Sequence, residues 1–128
     1  MKKRVLLVED FSDLRMIFSL VLQRAGYEVI TADDGLEGLA LFVSPPESLQ
    51  FDGIWTDIQM PRMDGLTMAK AIRKHAPDIP IVFASGDLGR TITLEMLTAL
   101  SPYFHQKGAG LDELKAVTEM AKAAFGHP

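Results

Sequence analysis

The chain contains no cysteine. Disulfides, thiol nucleophiles and thiolate metal sites are therefore excluded, and the absence fits a reducing compartment. Long hydrophobic runs are also missing, since nothing approaches the roughly 20 consecutive apolar residues that span a bilayer. Near the N-terminus, Val5–Val8 follows Lys2-Lys3-Arg4, but it is too short for the apolar region of a signal peptide and meets Glu9 and Asp10 at once. Positive charge is scarce. The formal net charge is −4, and Lys2-Lys3-Arg4 reads as the solvated start of a strand rather than a nucleic-acid footprint. His75, His105 and His127 lie far apart on different elements, which argues against a histidine metal site. What remains is a soluble protein, expected in the cytoplasm, with neither membrane insertion nor direct nucleic-acid contact. Of its 128 residues 48% are hydrophobic, enough to fill the core of one domain.

Strand and helix patterns alternate along the whole chain. Val5–Val8 is a short continuous apolar run of the kind a strand buried on both faces shows. Leu14, Ile17, Phe18, Val21, Leu22 and Ala25 then form a helical stripe, with Ser12 available to cap its start and Gly26 to end it. Glu28–Ala32 is a second strand, broken by Asp34-Gly35. Leu36, Leu39, Ala40 and Val43 mark a second helix that stops at Ser44-Pro45-Pro46. A third strand spans Phe51–Thr56. The loop containing Met60-Pro61 and Asp64-Gly65 leads into a third helix marked by Leu66, Ala69 and Ile72. Ile79–Ala84 is a fourth strand, Arg90–Leu100 a weaker helix with Leu97 and Leu100 facing the core, and Tyr103–Gln106 a fifth strand. Leu111, Leu114, Val117, Ala121, Ala124 and Phe125 form the last amphipathic helix. Five such units predict an α/β fold, a doubly wound, mostly parallel sheet with helices on both faces and right-handed crossovers. No linker or repeat interrupts it, so residues 1–128 read as a single domain with no output domain behind it.

In sheets of this kind the functional crevice lies at the carboxyl ends of the strands. Glu9 and Asp10 follow the first predicted strand, Asp57 the third, Ser85 and Gly86 the fourth, and Lys107 the fifth. Each alone is an ordinary loop residue, but together they bring three acids, a hydroxyl and an ammonium to one rim. Three carboxylates gathered without a cation resist joint ionisation. An oxygen-only donor set points to a hard divalent ion, Mg²⁺ or Mn²⁺, rather than zinc. A carboxylate nucleophile, a metal, a lysine and a hydroxyl are the parts that phosphoryl transfer needs.

The segments V-L-L-V-E-D (5–10), A-D-D-G-L-E-G-L (32–39), D-G-I-W-T-D-I-Q-M-P-R-M-D-G (52–65) and A-S-G (84–86), with Lys107, resemble the receiver domain of two-component response regulators, the stand-alone chemotaxis-regulator type among them. The likeness runs from Lys3 to Phe125. It implies a flavodoxin-like (βα)5 fold with five parallel strands in the order 2-1-3-4-5. It also implies Asp57 as the phosphorylated residue, Asp10 as a direct Mg²⁺ ligand, Glu9 acting mainly through water, and Gln59 completing the metal site by its carbonyl. Ser85 and Phe104 match the switch hydroxyl and the aromatic switch position, and Lys107 matches the lysine that pairs with the phosphoryl group. The implied donor is a histidine kinase or a histidine phosphotransfer domain, and the signal leaves by protein contact or onward phosphotransfer, so the chain is expected not to be an enzyme in its own right.

Two positions depart from the pattern. Many receivers carry a cis proline after the lysine, where this chain has Gly108, for which a trans bond is expected. Phe104 lacks the hydroxyl of the tyrosine often found there. Other readings fit less well. A flavodoxin-like cofactor binder would meet Glu9 and Asp10 where it needs phosphate donors, and no glycine-rich phosphate loop is present. A phosphatase of the haloacid dehalogenase class needs a second aspartate two residues beyond the nucleophile, and Gln59 stands there. The remaining alternative is a degenerate receiver that acts as a phosphorylation-independent binding module, which the intact Asp10, Asp57, Ser85 and Lys107 oppose. Gln59 and Asp87 are expected to flank the path of attacking water, Asp87 either orienting it or repelling the phosphoryl group. The two glycines of Gly86–Gly89 permit a loop movement. Met16 and Leu20 lie off the main stripe of the first helix, near Phe11, and form either a wider core face or a docking patch.

Overall fold

The apolar strand runs serve two cores at once, because successive side chains of a strand point to opposite faces. In this computed structural model, which describes residues 2–44, 50–86, 93–108 and 112–127, the strands are β1 (Arg4–Val8), β2 (Glu28–Ala32), β3 (Gly53–Asp57), β4 (Ile81–Ser85) and β5 (Tyr103–Gln106). All neighbours pair in parallel, in the order β2-β1-β3-β4-β5. The helices are α1 (Ser12–Arg24), α2 (Gly35–Val43), α3 (Gly65–His75), α4 (Leu94–Thr98) and α5 (Glu113–Phe125). Leu6, Val8, Ile54, Ile81 and Phe83 pack with Met68, Ala69, Ile72 and Leu97 on one face of the sheet. Val5, Leu7, Trp55, Val82 and Ala84 pack with Phe18, Leu22, Val117, Ala121 and Phe125 on the other. No helix among the described residues is long and apolar enough to cross a membrane.

Several element ends differ from the sequence expectation. Ser12 does not cap α1. The N-cap is Phe11, with no side-chain cap, and its own N–H goes to Glu9 Oε2 at 3.2 Å while its carbonyl accepts from Arg15 at 2.9 Å. The helix therefore starts one residue early, tied to the acidic rim. Asp34 and Asp64 do more than break the chain, because each caps a helix, accepting from Glu37 N–H at 2.9 Å and Thr67 N–H at 2.7 Å. Strands β3 and β4 each run one residue further than expected, so Asp57 and Ser85 are their last residues, and each begins two residues later. Asp57 and Ser85 thereby inherit the rigidity of the ladder.

Ile17, Leu36, Val43 and Leu114, read as core positions, are exposed. The buried residues of α1 and α5 recur every four residues, Phe18 and Leu22 on α1 and Val117, Ala121 and Phe125 on α5. Each helix thus touches the sheet along a narrow line, and the flanking apolar residues fall outside it. Pro45 and Pro46, the segment Asp87–Gly89, Arg90–Ile92 of the expected fourth helix, and Leu111 lie outside the described residues.

Helix α3 sits hard against the end of β3. A Cβ at Gly65 would lie 2.1 Å from the carbonyl oxygen of Asp57 and 3.1 Å from Thr56 Oγ1. Backbone cannot give way as a flexible side chain does. Gly65→Ala should therefore cost about 1–3 kcal/mol, seen as a lower urea midpoint with an unchanged slope.

Candidate functional site

Sheet order decides which strand ends meet. Strands β1 and β3 are central neighbours, so the acids that follow or end them share one crevice. Carboxylate oxygens of Glu9, Asp10 and Asp57 all lie within 4.8 Å of one another. Glu9 is buried, Asp57 is largely buried, and Asp10 is exposed at the mouth. Lys107 comes from β5, two strands from β3, and must cross about 10 Å of sheet to reach them. Strand β4, which it crosses, ends in Ala84-Ser85 with Gly86 following, small residues that leave the way clear. Its Nζ lies 2.5 Å from Glu9 Oε1 and 3.2 Å from Asp57 Oδ1. The main chain of Lys107 is fixed by its N–H donating to Ser85 C=O at 2.8 Å.

Asp57 is held by more than charge. Ile58 N–H donates to its Oδ1 at 2.7 Å, and Gly65 N–H donates to Ile58 C=O at 2.7 Å. The loop between β3 and α3 is anchored in turn by Gly35 N–H on Met63 C=O at 3.1 Å and by Arg62 Nε on Asp34 Oδ2 at 2.7 Å. The hydrogen bond from Arg62 and that from Glu37 N–H hold the Asp34 carboxyl below its usual range. Arg62 adopts φ +65, uncommon for a residue with a side chain, and its contact with Asp34 stabilises that conformation.

Burial, and then the neighbouring charge of Glu9, push the Asp57 carboxyl up to about 7, against the opposing pull of Lys107 and of Ile58 N–H. The predicted site residues thus fall into two sets. Glu9, Asp10, Asp57 and Lys107 are brought together. Ser85 is buried beside them at the end of β4. Gln59 is exposed in the loop after Asp57, and Phe104 is half-buried against the core formed with α3 and α4. Asp87 lies outside the described residues. Gly108 takes φ +92, and no peptide bond among the described residues is cis, as expected. Sequence reasoning missed Glu113, whose carboxylate accepts from Gly108 N–H and contacts His105. The only signal for it was a glycine after the lysine, followed by an acid in the first turn of the next helix.

The fold has close counterparts. The family profile of the response regulator receiver domain matches residues 5–119. The receiver protein CpdR of Brucella abortus is 38% identical over 84 residues, which cover 66% of this chain and 67% of that protein. Among solved structures, the chemotaxis protein CheY4 of Vibrio cholerae is 28% identical with a TM-score of 0.81, covering 97% of this chain and 99% of that one. The response regulator TrrA of Thermotoga maritima, solved in complex with Mg²⁺ and beryllofluoride, is 31% identical with a TM-score of 0.74, covering 92% and 98%. Other curated relatives are longer, and the matched region spans from 8% to 37% of their length. The chain belongs to the response regulator receiver domain family of two-component signalling.

The raised Asp57 carboxyl has a consequence for stability. Between its unfolded value of 3.8 and its folded value of about 7, the native state holds a proton that the unfolded state has released. Stability contributed here is present at low pH, falls as pH rises through this window and levels off above it. Asp57→Asn removes the ionisation cost. It should raise stability by about 1–2 kcal/mol at pH 8 and by much less at pH 4, measured by urea unfolding without divalent ions.

Proposed function

We propose that Asp57 accepts a phosphoryl group from a phosphohistidine of a partner kinase or phosphotransfer domain, in a Mg²⁺-dependent reaction. The observation that carries this reading is the gathering of Glu9, Asp10 and Asp57 within 4.8 Å of one another, with the ammonium of Lys107 on Glu9 and Asp57. An all-oxygen cluster of three carboxylates suits a hard divalent ion. Asp10 and Asp57 would hold it directly and Glu9 mainly through water, with the backbone carbonyl of Gln59, in the loop after Asp57, completing the set, and Mn²⁺ would substitute. When bound, the ion neutralises charge on the phosphoryl oxygens.

The protein's own residues supply the rest. A carboxylate oxygen of Asp57 attacks phosphorus, the O–P bond forms as the P–N bond breaks, and the departing imidazole keeps the electron pair and takes up a proton. Lys107 is already at Asp57 and stabilises charge developing on the transferred group. Ser85, at the end of the adjacent strand, is the hydroxyl available to the product. Ile58 N–H orients the nucleophile. No second carboxylate stands where an acid for repeated turnover would be needed, since Gln59 occupies that position, so the chain acts as an acceptor rather than a phosphatase. The retained cluster runs against the degenerate-receiver alternative. Phosphorylated Asp57 adds negative charge and acceptor oxygens that Ser85 and Lys107 are placed to meet.

Acetyl phosphate with Mg²⁺ should add one phosphoryl group detectable by intact mass. Asp57→Asn should take none, and chelator should abolish labelling. An Asp57→Asn variant labelled as fast as the parent would overturn the assignment. Below pH 7 the ion must displace the Asp57 proton, so its apparent affinity should rise from pH 5 to pH 7.

The partner surface is proposed on α1. Met16 is 59% exposed and Leu20 53%, four residues apart, with Phe11 exposed between them and the acidic rim. They lie outside the core face, which removes the packing explanation. Met16 and Leu20 flank a groove of about 250 Å³ with Ser12, Arg15, Ser19 and Thr31. This exposed apolar pair is the patch proposed to dock the phosphohistidine-bearing domain. Met16→Glu with Leu20→Glu should slow transfer from the cognate phosphohistidine protein about ten-fold or more while leaving acetyl phosphate labelling unchanged. Equal slowing of both reactions would place the effect on folding instead.

A further inference from the structure

Lysine reaches far but holds its position poorly, since four methylenes separate the ammonium from the main chain. Its aim across β4 depends on where its Cα stands. One backbone bond, Lys107 N–H to Ser85 C=O at 2.8 Å, is the last rung of the ladder. The next residue, Gly108, turns out of the sheet at φ +92. No atom lies within 4 Å of where a Cβ would stand on Gly108, so space does not require glycine there; the backbone angle does. A glycine immediately after the working residue leaves that residue loosely tethered unless its peptide is held.

Glu113, the first residue of α5, holds it. Its Oε2 accepts from Gly108 N–H at 2.9 Å and its Oε1 lies 3.0 Å from His105 Nε2. Both oxygens are used, and the carboxylate is mostly buried. His105 is itself immobile, buried in the strand with its ring 5.4 Å from that of Trp55. One carboxylate therefore clamps residue 105 by its side chain and residue 108 by its amide, on either side of Lys107. A proline at 108 would have neither the angle nor the N–H for this.

We propose that Glu113 is a positioning residue for Lys107, fixing the strand end from which the lysine reaches the acidic cluster and the group transferred to it. Its part in the reaction rests on the phosphoryl-acceptor reading of Asp57; its part in aiming the lysine does not.

Two measurements separate these. In the unphosphorylated protein at low temperature, the Lys107 ammonium, paired with Glu9, should give an observable ¹⁵N-correlated signal, lost or broadened in Glu113→Ala and retained in Glu113→Gln, whose amide oxygen still accepts from Gly108. An unchanged signal and unchanged Gly108 amide shift in Glu113→Ala overturn the proposal. The second measurement is a double-mutant cycle on the rate of labelling by acetyl phosphate with Mg²⁺, followed long enough to time the slow variants. Glu113→Ala should slow the parent about ten-fold, Glu113→Gln should recover most of that loss, and Glu113→Ala should add less than about two-fold in a Lys107→Ala background. Equal slowing in both backgrounds would show that Glu113 serves only the fold. Urea midpoints confirm that each variant is folded at the assay temperature. Should the parent fail to label while the ammonium signal still depends on Glu113, the acceptor reading falls and the positioning stands.

Discussion

Two buried carboxylates side by side cannot both stay ionised without a cation, and Glu9 and Asp57 are such a pair. Lys107 supplies part of the charge they need, at 2.5 Å and 3.2 Å, yet Asp57 is still pushed up to about 7. That residual imbalance is what a divalent ion would relieve. Much of the local structure can be understood as holding these like charges together. Helix α3 is pressed against the Asp57 carbonyl, the loop after it is tied to Asp34, and the end of β5 is clamped by Glu113.

The sheet makes this arrangement affordable. With β1 and β3 at its centre, Glu9 and Asp57 stand on the most rigid part of the ladder, and the two cores pack against both faces directly beneath them. The acids project from strand ends, where the pleat finishes and side chains are no longer covered by the helices. Lys107 follows β5, one of the two edge strands, where its main chain is held by Ser85 and its neighbours His105 and Gly108 by Glu113.

How much of this could be read from the sequence depended on whether the signal was local. The acids and the lysine were legible because each directly follows or ends a short apolar run, and the strand-end rule then unites them. The strand order was legible only through the family likeness. Ser12 was misread as a cap because the helix begins one residue earlier, with the Phe11 carbonyl accepting from Arg15 N–H. Ile17 and Leu114 were misread as core because periodicity gives a stripe but not its width. In the structure both flank the contact line, and Leu114, with Val21 and Arg24, lines a groove of about 560 Å³ between α1 and α5. Glu113 and His105 were invisible because their meaning arises only when a strand and the following helix are packed together.

Strand β5 also links the site to both faces of the molecule. Its side chains alternate, so Phe104 packs into the core shared with α3 and α4 while His105 lies against Trp55 in the core shared with α1 and α5. Lys107 is the next member of the His105 row, and its own N–H is bonded to Ser85 C=O. On the proposed acceptor reading, a displacement of Lys107 toward phosphoryl oxygens would pull on a strand whose residues are buried on opposite sides. Close-packed interiors transmit such a pull rather than absorb it. Whether a given face responds is set by how firmly its residue is held, and the two differ. His105 is locked by a ring contact and a carboxylate, whereas Phe104 is half-buried and held by packing alone. The side chain of Phe104 is thus held by packing toward α3 and α4, whereas His105 is fixed on the opposite face by Trp55 and by Glu113, the residue proposed to aim Lys107.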